Sequence, residues 1–125
     1  MTIDSYIVKL AVKEAQKSTY RFKVGTVIFD GKKILSVGHN YKLKSVKSYT
    51  KSFIKWHGSI HAEVDAILKA RRPLKGLSIL VVRINNYGQF RNSRPCQECS
   101  KYIEYVGIKK IFFSISEWPY IVEKK

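Results

Sequence analysis

The chain has 125 residues, two cysteines and a formal net charge of +15. A chain of this length can bury about two-thirds of its unfolded surface around one core, so we expect residues 1–125 to form a single domain. The charge excludes the near-balanced surface of an ordinary small domain and favours an anionic partner. Asp4 and Lys9 interrupt the first apolar stretch, and no apolar run reaches about 20 residues, the length that spans a bilayer. We therefore expect a cytoplasmic protein with reduced thiols and no membrane partner.

Helical spacing marks the N-terminal segment, whose apolar residues include Ile3, Ile7, Leu10, Ala11 and Ala15. Residues 22–29 are rich in β-branched side chains and predict a strand. Asp30 and Gly31 predict a hairpin turn, which makes residues 34–37 an antiparallel second strand. A long loop is predicted over residues 41–58.

The second half of the chain alternates between helices and strands. A helix is predicted over residues 59–70 with Ser59 as a candidate N-cap, and a buried strand over residues 77–84. After a turn, a helix is predicted to start near Pro95, and residues 110–114 predict another strand. This alternation implies parallel pairing. We predict an α/β fold, a three-layer α/β/α sandwich around a mixed sheet of about five strands.

The two cysteines, Cys96 and Cys99, lie three residues apart behind Pro95 and would share one face of a helix. The positive end of the helix dipole favours their thiolate forms, which bind zinc. His61 would be a third ligand at the start of the preceding helix, which leaves the fourth tetrahedral position open. A redox Cys-x-x-C pair is an alternative, but it would leave His61 without a role.

Glu63 lies two residues beyond His61, at the same helix end. Zinc lowers the pKa of bound water towards roughly 7, so a carboxylate at this place could accept the proton of that water and return it to a leaving group. We therefore predict that Glu63 is catalytic and does not bind the metal. A first-turn acid that only stabilises the helix dipole is the alternative role.

His61-Ala62-Glu63 and Pro95-Cys96-Gln97-Glu98-Cys99 together match the pattern H-x-E with P-C-x-x-C. The chain resembles the zinc-dependent cytidine/deoxycytidylate deaminase superfamily, and the resemblance covers nearly the whole chain. It implies the cytidine-deaminase-like three-layer fold, one Zn²⁺ per chain, hydrolytic deamination of a nucleobase, and relatives that are often oligomers. By position it implies that Asn40 contacts the sugar and Val24 the base. It also implies that the Ala62 amide binds a base substituent and that Ser93 and Arg94 line the substrate pocket.

The positive charge is concentrated beside these motifs, since residues 31–62 and 66–97 contain no acidic residue. The predicted loop interleaves lysines with aromatic residues, a composition typical of grooves that follow phosphates and stack bases. The rim that we predict from it consists of Lys42, Lys44, Lys47, Lys51, Lys55 and Trp56. We therefore expect single-stranded DNA or RNA as the partner and cytosine as the target base.

Several alternatives remain at this point. A free nucleotide such as deoxycytidine monophosphate would need only one or two of the residues Arg21, Arg91 and Arg94 for its phosphate. Transfer RNA adenosine deaminases resemble the chain in size, histidine ligand and strand motif, so adenine is a second target base. A nucleic-acid-binding module with structural zinc is the alternative without catalysis. Residues 116–125 could cap the site, complete the sheet edge or contact a second subunit.

Overall fold

The computed structural model describes residues 3–19, 22–42 and 59–124. Within them the helices are α1 (Ser5–Gln16), α2 (Ala62–Ala70) and α3 (Gln97–Tyr105). The strands are β1 (Lys23–Asp30), β2 (Lys33–His39), β3 (Tyr41–Lys42), β4 (Ser59–Ile60), β5 (Ser78–Ile84), β6 (Phe90–Arg91), β7 (Lys110–Ser114) and β8 (Ile121–Glu123). Each strand predicted from the sequence is present, with ends that differ by at most two residues.

The main sheet has the strand order β2-β1-β5-β7-β8, with β6 paired to the end of β5. β1 is antiparallel to both of its neighbours, β5 and β7 are parallel, and β8 is antiparallel to β7. Within the described residues this sheet has six strands rather than about five, because the short strands β6 and β8 join it. The predicted mixed sheet is confirmed, and β8 places the C-terminal residues at the sheet edge.

Apolar side chains cover both faces of the sheet, because successive side chains along a strand point to opposite sides. One core lies under α1 and includes Ile7, Ala11, Val27, Leu80 and Val82. The other lies under α2 and α3 and includes Ile28, Ala66, Ile79, Val81 and Ile103. The predicted three-layer α/β/α architecture is therefore confirmed.

Two glycines let the helices approach the sheet closely. A Cβ atom on Gly25 would lie 2.1 Å from the carbonyl oxygen of Ala11 in α1. A Cβ atom on Gly38 would lie 2.5 Å from the backbone nitrogen of Ala66 in α2. Any side chain at either position would push the facing helix away from the sheet.

The predicted loop over residues 41–58 is wrong at its start, because Tyr41 and Lys42 form a strand, and the predicted N-cap at Ser59 is wrong. Tyr41 and Lys42 of β3 pair with Ile60 and Ser59 of β4, so that these residues form a two-stranded ribbon. Ser59 lies in a strand, and His61 is the N-cap of α2 instead. Because Tyr41 faces Ile60, the ribbon brings the next residues, Asn40 and His61, side by side.

Among residues 3–19, 22–42 and 59–124, no helix combines the length and the apolar character needed to cross a bilayer.

Candidate active site

His61 stands at the N-terminus of α2, directly after the β3–β4 ribbon. Its backbone is extended, with φ of −77° and ψ of 151°, and its carbonyl oxygen accepts the first helical hydrogen bond, from the Asp65 amide at 3.0 Å. The chain therefore turns from strand to helix at His61 itself. The ribbon fixes one side of this turn and the helix fixes the other.

The two cysteines stand at the N-terminus of α3. Cys96 is the N-cap, and its Sγ accepts a hydrogen bond from the Cys99 amide at 3.5 Å. Pro95 precedes the cap instead of occupying the first helical position, so only Cys99 lies inside the first turn. The Cys96 thiol is exposed and the Cys99 thiol is buried.

His61, Cys96 and Cys99 offer three ligand atoms that all lie within 4.8 Å of one another. The Nδ1 atom of His61 is 3.4 Å from Cys99 Sγ and 3.9 Å from Cys96 Sγ. Ligands of a tetrahedral zinc, at about 2.0–2.3 Å from the ion, stand about 3.5 Å from one another. The group therefore has the donor atoms and the spacing of a zinc site with three protein ligands.

The two thiols titrate as a coupled pair. A hydrogen bond from the Cys99 thiol, together with contacts from His61, lowers the pKa of Cys96 to about 4. The same hydrogen bond, together with burial, raises the pKa of Cys99. One sulfur of the pair is thus readily a thiolate, and a divalent cation between the two would deprotonate both.

Glu63 lies in the first turn of α2, two residues beyond His61, and only 5% of its surface is exposed. Burial raises the pKa of its carboxyl group, partly opposed by hydrogen bonding to its own backbone amide and by the charge of His61. Glu63 lies outside the group of three ligand atoms. A buried carboxyl group beside a metal site, with a raised pKa, has the properties of a proton acceptor and donor.

A cavity of about 250 Å³ opens beside this group. It is lined by the candidate ligands His61 and Cys96, by Glu63, and by Phe22, Val24, Asn40, Ala62, Val81, Arg83, Asn92, Ser93 and Arg94. The five residues for which the resemblance implied substrate contacts all line this cavity: Val24, Asn40, Ala62, Ser93 and Arg94. The structure thus brings them together with the candidate metal site, while their individual roles stay predictions.

The side chain of Asn40 is anchored in the protein. Its Oδ1 atom accepts a hydrogen bond from the Val24 amide at 3.0 Å, and its Nδ2 donates to the Phe22 carbonyl oxygen at 2.6 Å. Each amide atom has one further hydrogen-bonding position. The predicted sugar contact would have to use those remaining positions. In this structure the side chain of Asn40 links the residue after β2 to the start of β1 by hydrogen bonds.

Ser93 is likewise engaged by the backbone. Its hydroxyl group donates to the Val81 carbonyl oxygen at 2.7 Å and accepts from the Ser114 amide at 2.8 Å. Its side chain ties the segment before Pro95 to β5 and β7, so a substrate would meet its backbone more readily than its hydroxyl group. Arg94 lies beside it, and its guanidinium carbon is 5.4 Å from the centre of the Phe113 ring.

The predicted rim falls almost wholly outside the described residues. Lys44, Lys47, Lys51, Lys55 and Trp56 lie there, as does Arg21, and Lys42 is described only as a residue of β3. The rim therefore stays a prediction. Arg91, a candidate for phosphate binding, hydrogen-bonds the Phe90 carbonyl oxygen at 3.0 Å and Gln89 at 3.3 Å and does not line the cavity.

Sequence reasoning did not single out four of the lining residues, namely Phe22, Val81, Arg83 and Asn92. Two of them carried a signal, because Val81 and Arg83 alternate along the predicted strand and so share one of its faces. Phe22 was predicted as the first residue of a strand but lies just before β1, and Asn92 belongs to the segment before Pro95 that the resemblance placed at the pocket.

A family model described as the cytidine and deoxycytidylate deaminase zinc-binding region matches residues 1–115. An uncharacterized deaminase in the luxG 3′ region of Aliivibrio fischeri is 32% identical over 93 residues, which are 72% of this chain and 56% of that protein. The chain thus spans just over half the length of this curated relative.

Solved structures agree on the fold. The dCMP deaminase of cyanophage S-TIM5 superposes with a TM-score of 0.64 at 24% identity, covering 89% of this chain and 81% of that one. Its complex with dCMP and dUMP gives a TM-score of 0.58 at 21% identity, over 91% and 85% of the two chains. The cytidine deaminase of Burkholderia pseudomallei gives 0.66 at 16% identity, over 99% and 93%.

The resemblance inferred from the two motifs is therefore confirmed over most of the chain. The matched family model is a zinc-binding region, and His61, Cys96 and Cys99 form a candidate metal site with the donor atoms that zinc prefers. Zinc is accordingly the cofactor. The chain belongs to the cytidine and deoxycytidylate deaminase zinc-binding family.

Proposed function

We propose that this protein is a zinc-dependent hydrolytic deaminase that converts cytosine to uracil in single-stranded nucleic acid. The observation that carries the chemistry is the grouping of His61, Cys96 and Cys99 at a cavity that His61, Cys96 and the buried Glu63 line. Family membership supports the reaction class. The charge of the chain supports the substrate class.

In this proposal His61, Cys96 and Cys99 hold the metal. A zinc ion in that place supplies the Lewis acidity that makes water a nucleophile at neutral pH. Glu63 accepts a proton from the attacking water and delivers it to the departing amine. The water oxygen bonds to C4 of cytosine, the bond between C4 and the exocyclic nitrogen breaks, and ammonia leaves, so that uracil remains.

The lining of the cavity supports the proposal that a single unstacked base is the reacting group. Val24, Val81 and Phe22 give it apolar walls, and the Ala62 backbone stands beside the candidate metal site. A cytosine paired in a duplex would have to be flipped out to enter, which makes single strands the easier substrate. Arg83 and Arg94 line the same cavity, and the net charge of +15 favours a polyanion.

A free deoxycytidylate is the second candidate substrate. The cyanophage enzyme whose fold this chain shares is a dCMP deaminase and was solved with dCMP and dUMP. A mononucleotide would also place one phosphate near the arginines that line the cavity.

A competition assay tests the proposal. Zinc-loaded protein is offered a single-stranded oligonucleotide containing cytosine together with dCMP, and mass spectrometry follows the replacement of the amine by oxygen in each. An adenosine-containing RNA stem-loop forms a third arm, and the Glu63→Gln variant is the matched control. We expect faster conversion of the oligonucleotide and none by the variant.

Faster conversion of dCMP would contradict the polynucleotide proposal and favour the second candidate. Conversion of the adenosine arm alone would move the target base to adenine. If zinc is bound and no arm reacts, the hydrolytic function itself is wrong, and a binding module with structural zinc becomes the better description.

A further inference from the structure

Arg83 lines the cavity, and the proposed reaction steps give it no role. We propose that Arg83, held against the ring of Phe22, binds a phosphate group of the nucleotide whose base enters the cavity. This inference rests on the proposed function for its base and adds a phosphate-binding side chain to the site.

The position of Arg83 follows from strand register. Arg83 of β5 pairs directly with Val24 of β1, and residues directly opposite each other in a sheet have side chains on the same face. Val24 and Arg83 both line the cavity. Val24, which is predicted to contact the base, therefore lies beside the positively charged Arg83 at one wall of the cavity.

The guanidinium group of Arg83 is oriented by an aromatic ring. Its Cζ atom lies 4.2 Å from the centre of the Phe22 ring, and Phe22 itself lines the cavity. At this distance the ring attracts the guanidinium group as a cation, and the N–H groups of a guanidinium lie in its own plane. That plane can donate two parallel hydrogen bonds to a phosphate, a geometry that lysine does not offer.

Arg83 has a like charge directly opposite it in the sheet. Arg83 also pairs with Arg91 of β6, and like charges directly opposite each other on neighbouring strands destabilise a sheet. Across the described ranges 3–19, 22–42 and 59–124, no carboxylate forms an ion pair with Arg83, Arg91 or Arg94. An anion bound beside Arg83 in the cavity would supply the opposite charge.

The neighbouring arginine strengthens the site. Arg94 also lines the cavity and also lies over a phenylalanine, with 5.4 Å between its Cζ atom and the Phe113 ring centre. Arg91 instead donates hydrogen bonds to the Phe90 carbonyl oxygen and the Gln89 side chain, and it does not line the cavity. Among these arginines, Arg83 has the closest ring contact and a place in the cavity wall.

Phosphate can reach this site from two sources, the 5′-phosphate of a free nucleotide or a phosphodiester of a nucleic acid chain. The two share the same oxygen chemistry at Arg83. They differ in the substrate, dCMP or the oligonucleotide, for which kcat/KM falls when Arg83 is replaced.

The test compares three cytosine substrates: deoxycytidine without phosphate, dCMP, and a single-stranded oligonucleotide. The variant Arg83→Gln keeps a planar polar group but loses the charge. Arg83→Lys keeps the charge but loses the two-pronged donor. Arg72→Gln removes one charge from an exposed residue that does not line the cavity, and is the matched control. Binding of dCMP and deoxycytidine to each zinc-loaded variant is measured by calorimetry alongside kcat/KM.

We expect Arg83→Gln to lower kcat/KM and affinity for a phosphate-bearing substrate roughly ten- to a hundredfold, the range for a charge-assisted hydrogen bond. Activity on deoxycytidine should match that of Arg72→Gln, and Arg83→Lys should recover only part of the loss. Selective loss on dCMP identifies the monophosphate as the ligand, and selective loss on the oligonucleotide identifies the phosphodiester.

Equal losses on all three substrates, or losses no larger than those of Arg72→Gln, would overturn the role of Arg83. If no variant and no substrate shows turnover, the proposed function fails. Calorimetry then still decides the role of Arg83, since it reports whether tighter binding of dCMP than of deoxycytidine depends on this residue.

Discussion

Two glutamates are buried in opposite helical layers, Glu14 on α1 and Glu63 on α2, with 3% and 5% of their surfaces exposed. Glu14 accepts a hydrogen bond from Lys17 Nζ at 2.6 Å and lies 3.4 Å from His39 Nδ1. Burial would raise the pKa of Glu14, but the bonds to Lys17 and His39 outweigh it, so the pKa is lowered. Burial prevails at Glu63, and its pKa is raised.

The opposite pKa shifts of Glu14 and Glu63 indicate a structural role for the acid in the α1 layer and a chemical role for the acid in the α2 layer. In the α1 layer a buried charge is matched by partners, which is how proteins normally tolerate such groups. In the α2 layer the carboxyl group stands at a cavity beside candidate metal ligands. Strongly perturbed acids in clefts mark functional sites more often than matched ones do.

The largest expected effect separates the two glutamates directly. Glu63→Gln should lower kcat by about 100- to 10,000-fold, because the proton acceptor is lost, while zinc content and melting temperature stay close to those of the parent. Glu14→Gln should leave kcat almost unchanged and lower the stability. Steady-state kinetics, metal analysis and thermal unfolding of both variants check this.

The expectation that only Glu63 acts in catalysis would be contradicted if Glu14→Gln reduced kcat as much as Glu63→Gln in fully folded, zinc-loaded protein. Loss of zinc from Glu63→Gln would contradict the prediction that Glu63 does not bind the metal.

Gly25 and Gly38 provide a second comparison of the two helical layers, because Gly25 faces α1 and Gly38 faces α2. Alanine at Gly25 would meet the Ala11 carbonyl oxygen of α1, and alanine at Gly38 would meet the Ala66 amide of α2. Each substitution should cost about 1–3 kcal/mol of unfolding free energy, since the obstacle is backbone that yields only by moving a helix. Only Gly38→Ala displaces the helix that carries His61 and Glu63, so it alone should lower kcat per folded molecule.

Urea unfolding and active-site-normalised kinetics of the two alanine variants provide the measurement. A fall of kcat in Gly25→Ala comparable to that in Gly38→Ala would show that the two helical layers are mechanically coupled, contrary to this expectation.

The smallest effect concerns pH. Because the folded pKa of Glu14 is lowered below its ordinary value of 4.5, its ionised form stabilises the fold. That contribution is fully present above the unfolded pKa and disappears as the pH falls through the folded pKa. The stability difference between the parent and Glu14→Gln should therefore shrink as the pH falls from about the ordinary value of 4.5 through the lower folded pKa.

Denaturant unfolding of both proteins across this range gives the difference directly, and effects shared by the two proteins cancel. A difference that grew on acidification would mean that Glu14 is stabilised as a neutral acid, and the assignment of its ion-pair partners would be wrong.

Much of the fold was predictable because its signals are local. Residues 110–114 form β7 as predicted, and the alternation in the second half predicted the parallel pairing of β5 with β7. The three candidate ligands were recognisable from the spacing of two short motifs. The Ser59 cap and the start of the 41–58 loop were predicted wrongly, because β3 and β4 pair with each other across the intervening residues, and local propensity does not indicate such a pairing.

The amino-acid sequence by itself determined the three-layer fold and indicated the candidate zinc ligands and the acid near them, since each depends on residue types and short spacings. Only the tertiary structure decided how the cavity wall is built. Ser93 is bound to Val81 and Ser114, Asn40 is bound to Val24 and Phe22, and Arg83 stands opposite Val24. These partners lie far apart along the chain, and strand register, which no local pattern specifies, brings them into contact.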